Sequence, residues 1–224
     1  MPDYILLTEK SWHKELFSQL QQRPFEQWHL IDRKERFTTE VLQQIKPVKI
    51  FIPHWSYIIP AKIYEAYECV VFHMTDLPFG RGGSPLQNLI VRGLSQTKLS
   101  ALKVEKGIDT GDIYLKRELS LEGNATDIFL RTVPLIKQMI EEIIDKEILP
   151  HPQQGEAVTF KRRTPEESNL QDIDNLDRLY DHIRMLDAET YPHAFLETNT
   201  MRIEFFDAQK NNDEISAHVR ITKK

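Results

Sequence analysis

Val48-Lys49-Ile50-Phe51-Ile52 and Cys69-Val70-Val71-Phe72 are two short apolar runs, with His54 and His73 just past their carboxyl ends and a helical pattern over residues 61–67 between them. Strand, helix and strand in that order predict one unit of a parallel sheet covered on both faces. Working outward, Tyr4-Ile5-Leu6-Leu7 and Trp28–Ile31 read as two earlier strands. A helix starting at Ser11 and carrying Trp12, Leu16 and Leu20 follows the first, and a short helix at Thr39–Ile45 follows the second. Pro85 sits where a helix begins, leading into Leu86, Leu89 and Ile90. Ser100–Val104 and Ile113–Leu119 read as two further strands. The fold class expected is α/β, a Rossmann-like core with a mostly parallel sheet. Ligands of such sheets bind outside the carboxyl ends of the strands, where His54 and His73 stand.

The stripe Ile128, Leu135, Met139, Ile140, Ile143 and Ile144 reads as a long core helix, capped at Asn124 or Thr126 and interrupted by Pro134. Past Leu149-Pro150-His151-Pro152 the chain turns polar. A short helix at Leu176–Leu186 and a hairpin of Met201–Phe206 with Ile215–Ile221 suggest a small C-terminal subdomain. Two domains are therefore expected, at residues 1–150 and 151–224. Because a two-stranded hairpin is marginal alone, it should pack on something, and a homodimer is one way to supply that.

Composition narrows the function classes. The 224 residues are 40% hydrophobic and 28% charged, with 29 Lys plus Arg against 34 Asp plus Glu, a net charge of -5. The acidic balance argues against nucleic acid and anionic membrane as partners. No apolar run approaches the ~18 residues of a membrane span, and Met1-Pro2-Asp3-Tyr4-Ile5 does not start like a signal peptide. A single cysteine, Cys69, allows no intrachain disulfide and no cysteine zinc site, so a cytoplasmic protein without a metal is expected. P-loop, dinucleotide glycine fingerprint, nucleophile elbow and paired-histidine zinc motif are all missing. Thr8-Glu9-Lys10-Ser11 offers no glycine cradle for phosphate after the first strand.

Six of the eight glycines fall between Gly80 and Gly111. Two crowded surface turns explain that as well as loops built around a ligand do. Within this region His73 ends a strand, and Asp109 lies on the turn Gly107-Ile108-Asp109-Thr110-Gly111. A carboxylate that orients an imidazole makes an acid/base pair, although a structural histidine is the commoner outcome of such a pattern.

His73-Met74-Thr75-Asp76-Leu77-Pro78-Phe79-Gly80-Arg81-Gly82-Gly83-Ser84-Pro85, with the later turn Gly107 to Gly111, resembles the signature of the 10-formyltetrahydrofolate-dependent formyltransferases. The resemblance is tight from Val48 to Leu119. It implies a Rossmann-like domain, 10-formyltetrahydrofolate as formyl donor, no metal, and an Asn–His–Asp trio acting on an amine. His73 matches the histidine and Asp109 the aspartate, whereas Val71 stands at the asparagine's position. A lost oxyanion donor costs roughly 2.7–4 kcal/mol, and His54, on the same sheet edge, is the candidate to replace it, with Ser56 and Thr75 as shorter alternatives and a histidine bonded to backbone as the commoner role for His54. The resemblance puts the pterin against Ser56, Tyr57, Ile58 and Ile59 on one side and Val104, Glu105 and Gly107 on the other. For Ile58 and Ile59 alone, core packing is the commoner alternative.

The wording of the central motif, with His54-Trp55-Ser56-Tyr57-Ile58-Ile59-Pro60 before it, looks closest to the nucleotide-sugar N-formyltransferases of pseudaminic-type pathways. The implied acceptor is the amine of a UDP-linked amino-deoxy sugar. Asp76 and Arg81 are expected to meet that sugar, Arg162, Arg163 and Arg184 its diphosphate, and Tyr191 and Phe195 its base; for Asp76, capping a turn or pairing with Arg81 is an equal alternative, and for each C-terminal residue alone surface charge or packing is the commoner one. A methionyl-tRNA formyltransferase-like enzyme is the alternative, set back by the acidic charge and by the little chain that follows residue 150. A catalytically inactive folate- or nucleotide-binding module is the other, suggested by Val71.

Overall fold

The computed structural model describes residues 1–224. Its strands begin with β1 (Asp3–Thr8), β2 (Gln27–Ile31), β3 (Lys49–His54) and β4 (Glu68–His73). These are followed by β5 (Phe79–Gly82), β6 (Gln96–Lys103) and β7 (Ile113–Ser120). A six-stranded sheet runs in the order β2-β1-β3-β4-β6-β7. β1 to β4 are mutually parallel, and β6 turns antiparallel on β4, with His73 opposite Ser100. The mostly parallel α/β fold expected from the alternation is therefore present.

Local chemistry accounts for the helices. α1 (Lys14–Leu20) is preceded by a 3-10 turn at Ser11–His13. α2 (Thr39–Ile45) is capped by the Thr38 hydroxyl, which accepts from the Val41 N–H at 3.4 Å. Between β3 and β4, α3 (Ala61–Tyr64) is a single turn, shorter than its sequence pattern suggested. α4 (Pro85–Val91) begins on Pro85, whose missing N–H costs nothing at a first helical position. α5 (Ala125–Asp145) keeps Pro134 inside it. At its start Asn124 Oδ1 accepts from the Asp127 N–H at 2.9 Å, so Asn124 and not Thr126 is the cap.

Two compact units emerge, neither continuous in sequence. The first comprises Met1–Arg81, Lys98–Leu119 and Arg131–Thr159. Its core joins Ile5, Leu7, Ile50, Ile52 and Cys69 from the strands to Leu42, Ile59 and Ile63, and each such burial is worth about 1.5–3 kcal/mol. Burial pushes the Cys69 thiol up to about 12, so it serves as packing. The second unit comprises Gly82–Thr97, Ser120–Leu130 and Phe160–Lys224. The composition change at residue 150 coincides with neither unit's boundary; the last crossing lies between Thr159 and Phe160.

β8 (Val158–Phe160) pairs with β5 in a two-stranded ribbon absent from the sequence reading. In the second unit α6 (Leu176–Arg184) is capped by Asn175. β9 (Ala194–Glu197), β10 (Met201–Lys210) and β11 (Ile215–Lys223) form an antiparallel sheet in the order β11-β10-β9. The expected hairpin thus finds a third strand, and packing against α6, within its own chain. No helix is long and apolar enough to cross a membrane.

Candidate active site

β4 delivers His73, 8% exposed, at its carboxyl end. The Nε2 atom lies 2.8 Å from the Gly80 carbonyl oxygen, which can only accept, so Nε2 donates. The Nδ1 atom faces Asp109 Oδ2 at 3.5 Å. With Nε2 given to Gly80, Nδ1 is the ring atom turned toward the carboxylate. The chain leaving His73 is pinned by Ser100 Oγ, which donates to the Thr75 carbonyl at 2.7 Å.

Asp109 projects from the loop joining β6 to β7. Its φ of 53° is left-handed, a conformation Asp tolerates better than most residues. Gly107 has φ 107°, and a Cβ there would lie 2.6 Å from Thr110 Oγ1, so the turn admits no side chain. Gln153, which the sequence reading passed over, donates from Nε2 to the Asp109 and Gly111 carbonyls at 2.9 and 2.8 Å. No local signal marks it: it follows the break Pro150-His151-Pro152 in an otherwise featureless stretch.

The other expected residues separate into three groups. The pterin stretch splits: Tyr57 and Ile58 are 43% and 84% exposed, while Ile59 is buried in the core. Ser56 donates to Glu9, Val104 packs against the same core cluster as Trp55 and Val71, and Glu105 pairs with Lys103 at 3.1 Å. His54 lies edge-on to Trp12 at 5.7 Å and 6.5 Å from the His13 ring. Burial, then the charge of Lys10 and the neighbouring His13, push His54 down to about 3, so it is neutral near pH 7.

The residues assigned to a sugar are mostly committed elsewhere. Asp76 pairs with Lys116 at 2.5 Å and Lys98 at 3.0 Å. Burial opposes its charge, but those two ammonium groups outweigh it and hold its carboxyl below the usual range. Arg81 is bound to Gln153. Arg184 donates to the Leu121 and Gly123 carbonyls at 2.6 and 2.8 Å and to Asp181, tying the approach to α5. Arg163 is held by Glu167, and Tyr191 stacks on Phe129 at 5.5 Å. Phe195 is buried in β9 beneath the Arg202 guanidinium at 3.5 Å. Of this set only Arg162 is an exposed cation. A cavity of about 360 Å³ lined by Tyr4, Glu68 and Tyr114 opens at the opposite, amino-terminal edge of the parallel strands and takes no part in the His73 site.

The solved structure of a methionyl-tRNA formyltransferase from Clostridium thermocellum matches this fold with a TM-score of 0.97, at 46% identity and over 100% of both chains. The chain belongs to the methionyl-tRNA formyltransferase family. The family profile described as methionyl-tRNA formyltransferase, C-terminal domain, matches residues 165–222. A methionyl-tRNA formyltransferase from Francisella philomiragia is 30% identical over 204 residues, 85% of this chain and 64% of that protein. The chain thus spans a little under two thirds of that relative's length. A sugar N-formyltransferase from Shewanella sp. shares the fold at only 13% identity, with a TM-score of 0.70 over 89% of this chain and 94% of that one.

These relatives overturn the nucleotide-sugar expectation: high identity lies with methionyl-tRNA formyltransferases, and the sugar enzymes share only the fold. The exclusion of nucleic acid as a partner, read from net charge, falls for the same reason.

Proposed function

We propose that this protein transfers the formyl group of 10-formyltetrahydrofolate to the amino group of methionyl-tRNA. The single observation that carries the reading is His73 facing Asp109 at 3.5 Å on the carboxyl edge of the sheet, in a chain 46% identical to a methionyl-tRNA formyltransferase. The residues present suit the folate. Tyr57, Ile58 and Ile108 are large apolar side chains left exposed on the two loops that would flank a pterin, and the backbone of residues 104–107 can read its polar edge. The folate would supply the formyl carbon.

This chain's residues would do the rest. His73, whose Nε2 hydrogen stays with Gly80, takes at Nδ1 the proton that the attacking amine sheds and returns it to the departing folate nitrogen. Asp109 holds the ring while it is charged, and the charged ring stabilises the developing oxyanion. His54 is neutral and can donate one N–H toward that oxygen, the part that Val71 cannot play.

For the acceptor, Arg33, Lys34 and Arg36 are exposed just beyond β2, and the Lys34 ammonium rests 4.5 Å from the Tyr57 ring centroid. These cations support a phosphate backbone arriving beside the folate loop. Val71 favours a second reading, a folate-binding module without turnover. Purified protein given 10-formyltetrahydrofolate and methionyl-tRNA should yield formylmethionyl-tRNA, and His73→Ala should lower kcat by about 10²–10⁴-fold. Folate binding with no product would favour the module. Product formation that survives His73→Ala would remove the catalytic assignment.

A further inference from the structure

The segment following Pro150 closes the first unit and is stitched to the rest of it at two points. His151 and Ile113 exchange both backbone hydrogen bonds, at 2.8 and 2.9 Å, and the Val158 N–H donates to the Pro78 carbonyl at 3.2 Å. Between these stitches stands Gln153. While its Nε2 donates to Asp109 and Gly111, its Oε1 accepts from Arg81 Nε at 3.1 Å and Arg81 Nη2 at 2.8 Å. Both amide hydrogens and the amide oxygen are used. The flipped amide would set an oxygen against two carbonyls and an NH₂ against a guanidinium, so Arg81 fixes the orientation that the loop needs.

We infer that Gln153, clamped by Arg81, is the positioning residue that sets the Asp109 carboxylate against His73; the inference rests on the proposal that this pair carries formyl transfer. Asp109 lies outside strand pairing and in a left-handed conformation. Its backbone direction therefore depends on what grips its carbonyl. Gln153 grips the carbonyls on both sides of Thr110, which fixes the turn as a unit. The positive charge on Arg81 polarises the amide and strengthens both donations. Arg81, expected to meet substrate, serves instead from behind the site. Lysine could not replace it, because the clamp uses two nitrogens of one planar fork.

The test compares Gln153→Glu, Gln153→Ala, Asp109→Ala and the double variant Gln153→Ala/Asp109→Ala in the formylation assay. Gln153→Glu keeps an acceptor for Arg81 but presents oxygen to both carbonyls. It should lower kcat by about 10²-fold, the cost of misplacing a reacting group by roughly 1 Å. The KM for folate and for tRNA should stay within about twofold in a variant that remains folded at the assay temperature, because the loss expected is one of alignment. The double variant should be no slower than Asp109→Ala alone, since Gln153 acts through Asp109. Losses that multiply in the double variant, or Gln153 variants that raise KM while sparing kcat, would overturn the inference. An Asp109→Ala variant as fast as the parent would instead remove the His73–Asp109 reading itself.

Discussion

His13 is 1% exposed, with Nδ1 2.7 Å from Thr8 Oγ1 and Nε2 without a partner. Burial first, and then the Lys10 charge, push it down to about 3. An unfolded chain's histidine takes up its proton near pH 6.5, whereas the folded His13 refuses it until about pH 3. The unfolded state therefore binds more protons in that window, and stability falls as pH drops through it, by about 1.4 kcal/mol per pH unit. His13→Gln should remove about 2 kcal/mol of the loss between pH 7.5 and 5.0, measured by urea melts at the two values. Equal losses in both proteins would assign the acid sensitivity to other groups. At this scale His73 and Asp109 were legible because a motif of fixed spacing names them. The lysines on Asp76 were not, since Lys98 and Lys116 reach it from β6 and β7, and only the sheet's order brings those strands together. His54 was placed at the correct strand end, but its neighbours Lys10 and His13 come from the loop after β1, which no periodicity linked to it.

Elements place these residues by close backbone approach as much as by side-chain packing. At Gly111 a Cβ would come 1.9 Å from the Lys103 carbonyl oxygen, while the Lys103 N–H donates to the Asp112 carbonyl at 2.9 Å. The two ends of the Asp109 loop are thus pressed together with no room for a methyl group. Gly111→Ala should cost about 1–3 kcal/mol in urea melts, the range for overpacking. It should lower kcat as well, because the shift tears the Gly111 carbonyl from Gln153. A stable variant with full turnover would mean that the loop can spread without disturbing Asp109. The long apolar runs of β1, β3 and β4 announced themselves, because strands buried on both faces need no alternation. β5, β8 and β9 span 4, 3 and 4 residues, too short to develop a period, and so passed as loop.

For the whole molecule, a negative net charge does not exclude a polyanionic partner such as the one proposed, and the reason is screening. A charge of -5 is a sum over 224 residues, whereas fields at physiological salt fade over about 8 Å. What the proposed tRNA acceptor would meet is the local edge, and beyond β2 that edge carries exposed Arg33, Lys34 and Arg36, with Asp32 set 3.6 Å from Arg36. These three are not legible in the sequence, since basic residues interleaved with Asp32 and Glu35 do not stand out as a run. Phosphate contacts release counterions, so each one contributes about 0.7–0.9 to the slope of log K against log salt. Arg33→Gln/Arg36→Gln should therefore flatten that slope for methionyl-tRNA by up to about 2 and raise the tRNA KM at low salt. The folate KM should stay unchanged, because Lys34, which covers Tyr57, is left in place. An unaltered salt slope would put the phosphate contacts on another surface and detach these arginines from the acceptor.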